Sequence, residues 1–211
     1  MNQALLEAVE PYWIYDYDVA QSLDPKASLL KSLAQDLKLI QIRVKSLEDL
    51  ELKKQVKTYY DLIKEANPAC YVIMNDHVDL CAEFAMEGVH LGQSDDSVFE
   101  ARKSLGQKAI IGLTVRSLEE AQEAQGLLAQ GIVDYVGVGT VFQTTTKQGL
   151  KAKGSEFIEE VFKLIPAEKV YPIGGINKDN LSELKKIDVK HVALCSELYK
   201  NPDVQVYCGV R

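Results

Sequence analysis

No stretch of this chain approaches the 18 or more consecutive apolar residues of a membrane-spanning helix. The opening MNQALLEAVEPYW lacks the basic start and apolar core of a secretory signal. Membrane insertion and export are not expected on that ground, and a cytoplasmic location is. Positive charge is also short: 24 Lys and Arg against 31 Asp and Glu leave a net charge of −7. Nucleic-acid binding needs a basic face and is not expected, although a small anion could still be held in a locally basic pocket. Four cysteines, Cys70, Cys81, Cys195 and Cys208, lie far apart with no CxxC pair, which removes zinc-ribbon and dithiol redox readings. There is no internal repeat, low-complexity tract or linker, so a single domain over residues 1–211 is expected. Hydrophobic residues at 46% and charged residues at 26% are globular values and exclude a disordered chain.

What is present is an alternation. Short apolar runs rich in β-branched and aromatic residues recur at 12–15, 39–42, 70–74, 88–91, 109–113, 133–138, 170–173 and 191–195. Between them lie segments of helical period. In 47–66, apolar residues at 52, 56, 59, 60 and 63 share one face of a 3.6-residue repeat. Ser97 with Glu100, and Ser117 with Glu120, have capping-box spacing, and Asn177 is a candidate cap for a helix running to about Ile187. Strands alternating with helices call for a parallel sheet, because parallel neighbours need crossover connections. Eight strands, with glycines and polar residues clustered just after them, favour closure into a (β/α)8 barrel over an open doubly wound sheet. Active sites of such barrels sit at the C-terminal strand ends.

Those ends carry the chemistry. Alternation along the second strand puts Gln41, Arg43 and Lys45 on one side, facing the mouth, where a guanidinium fork and an ammonium form an anion clamp. The third strand ends in Asn75 and Asp76, and the fourth runs into Asp95. Two carboxylates from adjacent strand ends suit Mg²⁺, which takes its remaining ligands from water and substrate phosphate. Each acid could equally be a helix N-cap. Thr114 closes the fifth strand; the sixth leads into a loop holding Thr144, Thr146 and Lys147, whose hydroxyls and ammonium suit a phosphate or diphosphate. Gly174 and Gly175 follow the seventh strand and Ser196 the eighth, where glycines let backbone N–H groups approach an anion. His90 has no second histidine at ligand spacing and is expected to line the barrel or its core.

Taken in order, YWIYD, QIRVK, MNDHVDL, GVHLGQSD, IIGLTVRS, VDYVGVGTVFQTTTK, PIGGI and VALCSEL resemble the thiamine-phosphate synthase family over Tyr12 to Ser196. The resemblance implies an enzyme that joins a hydroxymethylpyrimidine diphosphate to a thiazole phosphate and releases pyrophosphate, with Mg²⁺ as its ion. Carried over by position, it implies Asp76 and Asp95 as metal ligands. Gln41, Arg43, Lys45 and Asn75 would form the pyrimidine-diphosphate pocket, with Thr114 near the leaving diphosphate. Thr144, Thr146 and Lys147 would contact thiazole phosphate and diphosphate, and Gly175 with Ser196 would cradle phosphate. Arg43, Lys45, Thr114 and Lys147 would carry the catalysis.

The chain departs from the pattern in places. Val44 stands where the family has Glu and should point away from the mouth. Arg116 replaces a common His, Gln143 and Thr145 replace prolines, and the tail NPDVQVYCGVR has little helical pattern where an eighth helix belongs. The eighth helix is therefore expected to be short or missing, with the fold complete without it or a partner subunit of a homo-oligomer covering the gap. Three other readings exist. A thiazole tautomerase relative would carry histidine in place of Thr140 and lack the acidic pair. A phosphosugar epimerase or isomerase barrel would leave Asp76, Asp95 and the threonine-rich loop unexplained. A catalytically inactive ligand-binding barrel would bind without turnover.

Overall fold

The computed structural model describes residues 11–24, 26–144 and 151–208. Eight parallel strands close on themselves in chain order: β1 (Tyr12–Asp16), β2 (Leu39–Arg43), β3 (Tyr71–Asn75), β4 (Gly88–Leu91), β5 (Ile110–Val115), β6 (Tyr135–Gly139), β7 (Val170–Ile173) and β8 (Ala193–Leu194). The first and last strands pair through Tyr12 with Ala193 and Trp13 with Leu194. Nine α-helices occur among the described residues: α1 (Tyr17–Leu23), α2 (Ser28–Leu33), α3 (Asp49–Ala66), α4 (Val78–Glu83), α5 (Val98–Leu105), α6 (Leu118–Ala129), α7 (Gly154–Phe162), α8 (Leu181–Lys186) and α9 (Ser196–Lys200). The expected barrel is the one that forms. No described helix is long and apolar enough to cross a membrane.

Strand alternation sorts the apolar residues into two layers. Tyr12, Ile14, Leu39, Ile73, Ile110, Tyr135, Tyr171 and Ala193 fill the barrel interior. Trp13, Tyr15, Ile40, Ile42 and their outward counterparts pack against the helices. Val44 is buried in that outer layer, so an apolar side chain suits the position and the departure there does not touch the mouth.

Local capping follows the predicted residues with two adjustments. Ser117 accepts from the Glu120 N–H at 3.1 Å, and Ser97 from the Phe99 N–H at 3.3 Å. Asn177 caps a turn ahead of α8 rather than α8 itself, accepting from the N–H groups of Asp179 at 2.9 Å and Asn180 at 3.2 Å. The N-cap positions of α4 and α5 belong to His77 and Ser97, so neither Asp76 nor Asp95 is spent as a cap.

The eighth helix is short, as the tail composition implies: α9 has five residues, followed by a 3₁₀ turn at Val204–Tyr207. Aromatic anchoring compensates. Tyr199 packs on Trp13 and Tyr15, and its hydroxyl donates to the Asp16 carbonyl and accepts from the Asp16 N–H, both at 3.0 Å. Tyr207 is buried and donates to Glu197 at 2.6 Å. Through Tyr199, α9 thus holds the end of β1 in place, which matters because Asp16 lies in the mouth.

Candidate active site

A cavity of about 870 Å³ opens at the C-terminal strand ends. It brings together ten of the residues singled out above: Gln41, Arg43, Lys45, Asn75, Asp76, Asp95, Thr114, Thr144, Gly175 and Ser196. Thr146 and Lys147 lie outside the described residues. The wall also contains His90, expected to line the barrel, and residues that strand-end reading missed, chiefly Tyr12, Asp16, Tyr171, Glu197 and Lys200. Asp16 could have been found by the logic used on the other strands, since β1 runs one residue past the predicted Tyr15.

The clamp cations are already partnered. Arg43 Nη1 pairs with Asp16, whose side chain is 2% exposed, and Lys45 Nζ pairs with Asp76, 14% exposed. With Arg116, Lys200, Asp95 and Glu197 included, four cations face four carboxylates among the described lining residues. The mouth is charge-paired rather than simply basic. An arriving anion must exchange partners with Asp16 and Asp76, and an arriving cation would compete with Lys45 for Asp76.

The two acids interact directly. Burial pushes the Asp76 carboxyl above the ordinary carboxylate range; Asp95 adds to the rise, and Lys45 opposes it. On Asp95 burial acts upward too, but hydrogen bonds from Asp76 and the Gly92 N–H, with the charges of Lys45 and Arg116, outweigh it and bring the carboxyl down. The Gly92 N–H reaches Asp95 Oδ2 at 2.7 Å. Of the pair, Asp76 is the one that holds a proton more readily. A like-charged carboxyl pair whose neighbour is an ammonium is a site that one hard divalent cation would relieve. Two carboxylates are also the usual protein contribution to Mg²⁺. No group of three or more His, Cys, Asp or Glu that could hold a metal ion occurs among the described residues, so an ion on these two carboxylates would complete its shell with water or substrate oxygens.

Backbone shape prepares the opposite wall. Gly174 and Gly175 have φ of 103° and 65°, and a Cβ on Gly175 would lie 2.3 Å from the Gln143 carbonyl oxygen. Only glycine fits a turn this close to the loop after β6. Its carbonyl accepts from Asn180 Nδ2 at 2.9 Å, fixing the turn to the start of α8. Asn75 is buried at the end of β3, and its amide Nδ2 has no hydrogen-bond partner among the described residues. A buried donor left unmade costs free energy, and a bound polar group at the cavity wall would recover it.

Comparison with known proteins agrees along the whole barrel. A family model described as thiamine monophosphate synthase matches residues 12–198. The thiamine-phosphate synthase of Persephonella marina is 33% identical over 200 residues, 92% of this chain and 90% of that protein. That of Clostridioides difficile is 31% identical over 203 residues, 96% of this chain and 93% of its own. The solved thiamine phosphate pyrophosphorylase from Pyrococcus furiosus superposes with a TM-score of 0.75 at 29% identity, covering 95% of this chain and 92% of that one.

Proposed function

The chain belongs to the thiamine monophosphate synthase family, and we propose that its barrel mouth joins a hydroxymethylpyrimidine diphosphate to a thiazole phosphate, giving thiamine phosphate and pyrophosphate. The observation that carries this reading is the charge-paired mouth: Arg43–Asp16 and Lys45–Asp76 beside Asp95, in one cavity of about 870 Å³. That volume lies within the usual range for small-molecule sites.

In the reaction, the bond between the pyrimidine methylene carbon and the diphosphate oxygen breaks, and its electron pair leaves on that oxygen. The lone pair of the thiazole ring nitrogen then forms the new C–N bond, leaving the positive charge on the thiazolium. No proton moves and no protein nucleophile is consumed. The protein's work is to stabilise the departing negative charge and to hold the two rings in line. Arg43 and Lys45 turn from their carboxylates toward the diphosphate, and Thr114 donates to it from β5. Lys147 and the threonines Thr144 and Thr146 serve the same charge and the thiazole phosphate from the loop after β6. Gly175 and Ser196 offer backbone N–H groups to the phosphate. Asn75 and Gln41 orient the pyrimidine. Asp76 and Asp95 would hold Mg²⁺, which supplies further neutralisation of the diphosphate when bound.

The test is to mix the purified protein with both phosphorylated heterocycles and Mg²⁺ and to measure thiamine phosphate and pyrophosphate. Equimolar, Mg²⁺-dependent formation of the two is the expected result. Folded protein that yields neither at any Mg²⁺ concentration overturns the proposal.

A further inference from the structure

Gln41 on β2 and Thr114 on β5 stand three strands apart in the mouth, yet one line of hydrogen bonds through the barrel interior joins them. Gln41 Nε2 donates to the Tyr12 hydroxyl at 2.5 Å. The Tyr12 and Tyr135 hydroxyls are 2.8 Å apart, Tyr135 Oη is 3.0 Å from His90 Nδ1, and His90 Nε2 is 3.0 Å from Thr114 Oγ1. The space is made by glycines. A Cβ on Gly112 would lie 2.2 Å from the Tyr135 ring and 2.5 Å from His90 Nδ1, and one on Gly137 would lie 3.0 Å from His90 Cε1. Register delivers the parts, since His90 pairs with Gly112 and Gly112 with Tyr135.

With the Gln41 amide nitrogen facing Tyr12, counting hydrogens gives the line one direction. Tyr12 is buried, accepts from an amide N–H, and has one hydrogen of its own, which goes to the acceptor at 2.8 Å, Tyr135. Tyr135, now accepting, gives its single hydrogen to His90 Nδ1. An imidazole accepting at Nδ1 carries its own proton on Nε2 and donates it to Thr114 Oγ1. The Thr114 hydroxyl has then received its internal bond, and its hydrogen is left for the cavity it lines. Burial keeps both tyrosine hydroxyls protonated by pushing them up from the ordinary range, so each remains a one-hydrogen link.

We propose that this interior relay, with His90 and Tyr135 as positioning residues, sets the hydrogen-bond polarity of the pyrimidine-diphosphate subsite. Thr114 is fixed as a donor to the leaving diphosphate, and the Gln41 amide is turned so that its oxygen remains the acceptor for a donor on the ring. Neither His90 nor Tyr135 needs to touch the reacting atoms. The inference rests on the function proposed above, and it adds that two distant contacts to one substrate share a single orientation.

Tyr135→Phe keeps the ring and cuts the line. We expect the KM for the pyrimidine diphosphate to rise by about threefold to tenfold, the loss of one neutral hydrogen bond. The KM for the thiazole phosphate stays unchanged, while the melting temperature falls, because the Tyr12 hydroxyl and His90 Nδ1 each lose a buried partner. His90→Gln, which retains one acceptor and one donor, should keep the wild-type KM within about twofold, whereas His90→Leu should match Tyr135→Phe. Nitrogen-15 NMR of the substrate-free protein provides a readout independent of turnover: His90 should carry its proton on Nε2, and Tyr135→Phe should give a mixture of tautomers. A wild-type proton on Nδ1, or an unchanged pyrimidine KM in both Tyr135→Phe and His90→Leu, overturns the relay. A wild-type protein that makes no thiamine phosphate fails the functional reading instead, and leaves the tautomer measurement to stand or fall by itself. Should Tyr135→Phe not fold, the contrast between His90→Gln and His90→Leu decides.

Discussion

The two ends of the barrel use the same kinds of ion pair for opposite ends. At the N-terminal rim, Arg102 is 4% exposed. Its guanidinium donates to the carbonyls of Gly106, Ala109 and Ile132, and to Asp134 at 2.6 Å, while Asp134 also accepts from the Ile111 N–H. Nearby, Lys64 binds Glu87 and the Cys70 carbonyl, and Glu87 accepts from the Val72 N–H at 2.9 Å. These pairs tie strand starts to helices, and each also bonds the backbone. At the mouth, Lys45 is nearly half exposed and its pairing is with one carboxylate. A pair whose members also bond the backbone is a fixed joint, because breaking it strands charges and carbonyls together. A pair facing a polar cavity can change partners at little cost, which is what an anion-handling site requires.

The sharpest way to break the contrast is at the bottom. Arg102→Met should destabilise the protein by about 3–5 kcal/mol in a urea titration, since Asp134 is left behind without its countercharge. The kcat/KM of the remaining folded enzyme should be unchanged. A loss below about 1 kcal/mol would mean that the rim pair is not a joint. Gly175→Ala tests the wall of the mouth: a φ of 65° and a Cβ 2.3 Å from a carbonyl oxygen should cost about 2 kcal/mol. It should also raise the KM for thiazole phosphate more than that for the pyrimidine. Lys45→Met should cost less than about 1 kcal/mol of stability, because the lysine end of the pair is nearly half exposed to screening solvent. Its kcat/KM should fall by about 100-fold, the scale of one lost electrostatic contact to a leaving group. Equal effects on stability and turnover at position 45 would erase the distinction between the two ends.

Much of this was legible in the sequence, for a physical reason. Strand and helix periods differ, so eight apolar runs separated by amphipathic segments read as a barrel. The polar residues that close each run then fall at the mouth, as Gln41, Arg43, Asn75 and Thr114 do. What stayed hidden depends on register between strands distant in sequence. Nothing local to GVHL says that the His90 ring lies beside the Tyr135 hydroxyl, or that Gly112 exists to admit both. The partners of the cations were hidden likewise, because Asp16 is separated from Arg43 by two helices and meets it only when β1 and β2 pair. The tail was opaque in a different way. Its anchoring uses the Tyr207 hydroxyl on Glu197, behind a short helix held by Tyr199 rather than by a helical stripe, and periodicity does not detect that.

The smallest effect on stability is expected at Asp76, and its sign is the informative part. Burial and Asp95 raise this carboxyl in the folded protein above its unfolded value. A raised group contributes stability that is fully present below the unfolded pKa and is lost as pH climbs through the folded one. The window therefore begins near the ordinary aspartate value of about 4 and extends upward, and at neutral pH the ionised Asp76 works against the fold. Asp76→Asn removes that titration. The variant should show a flatter melting temperature across the window and a slightly higher one than wild type at pH 7, with turnover largely lost. Mg²⁺ should raise the wild-type melting temperature at pH 7, since an ion bound only by the folded state stabilises it, and should not raise that of Asp76→Asn. At the rim, by contrast, Asp134→Asn should lower the melting temperature, because there the carboxylate accepts from a guanidinium and a backbone N–H. Opposite signs for the same substitution at the two ends would separate an acid kept for chemistry from one kept for structure; a drop in both would place Asp76 with the structural pairs.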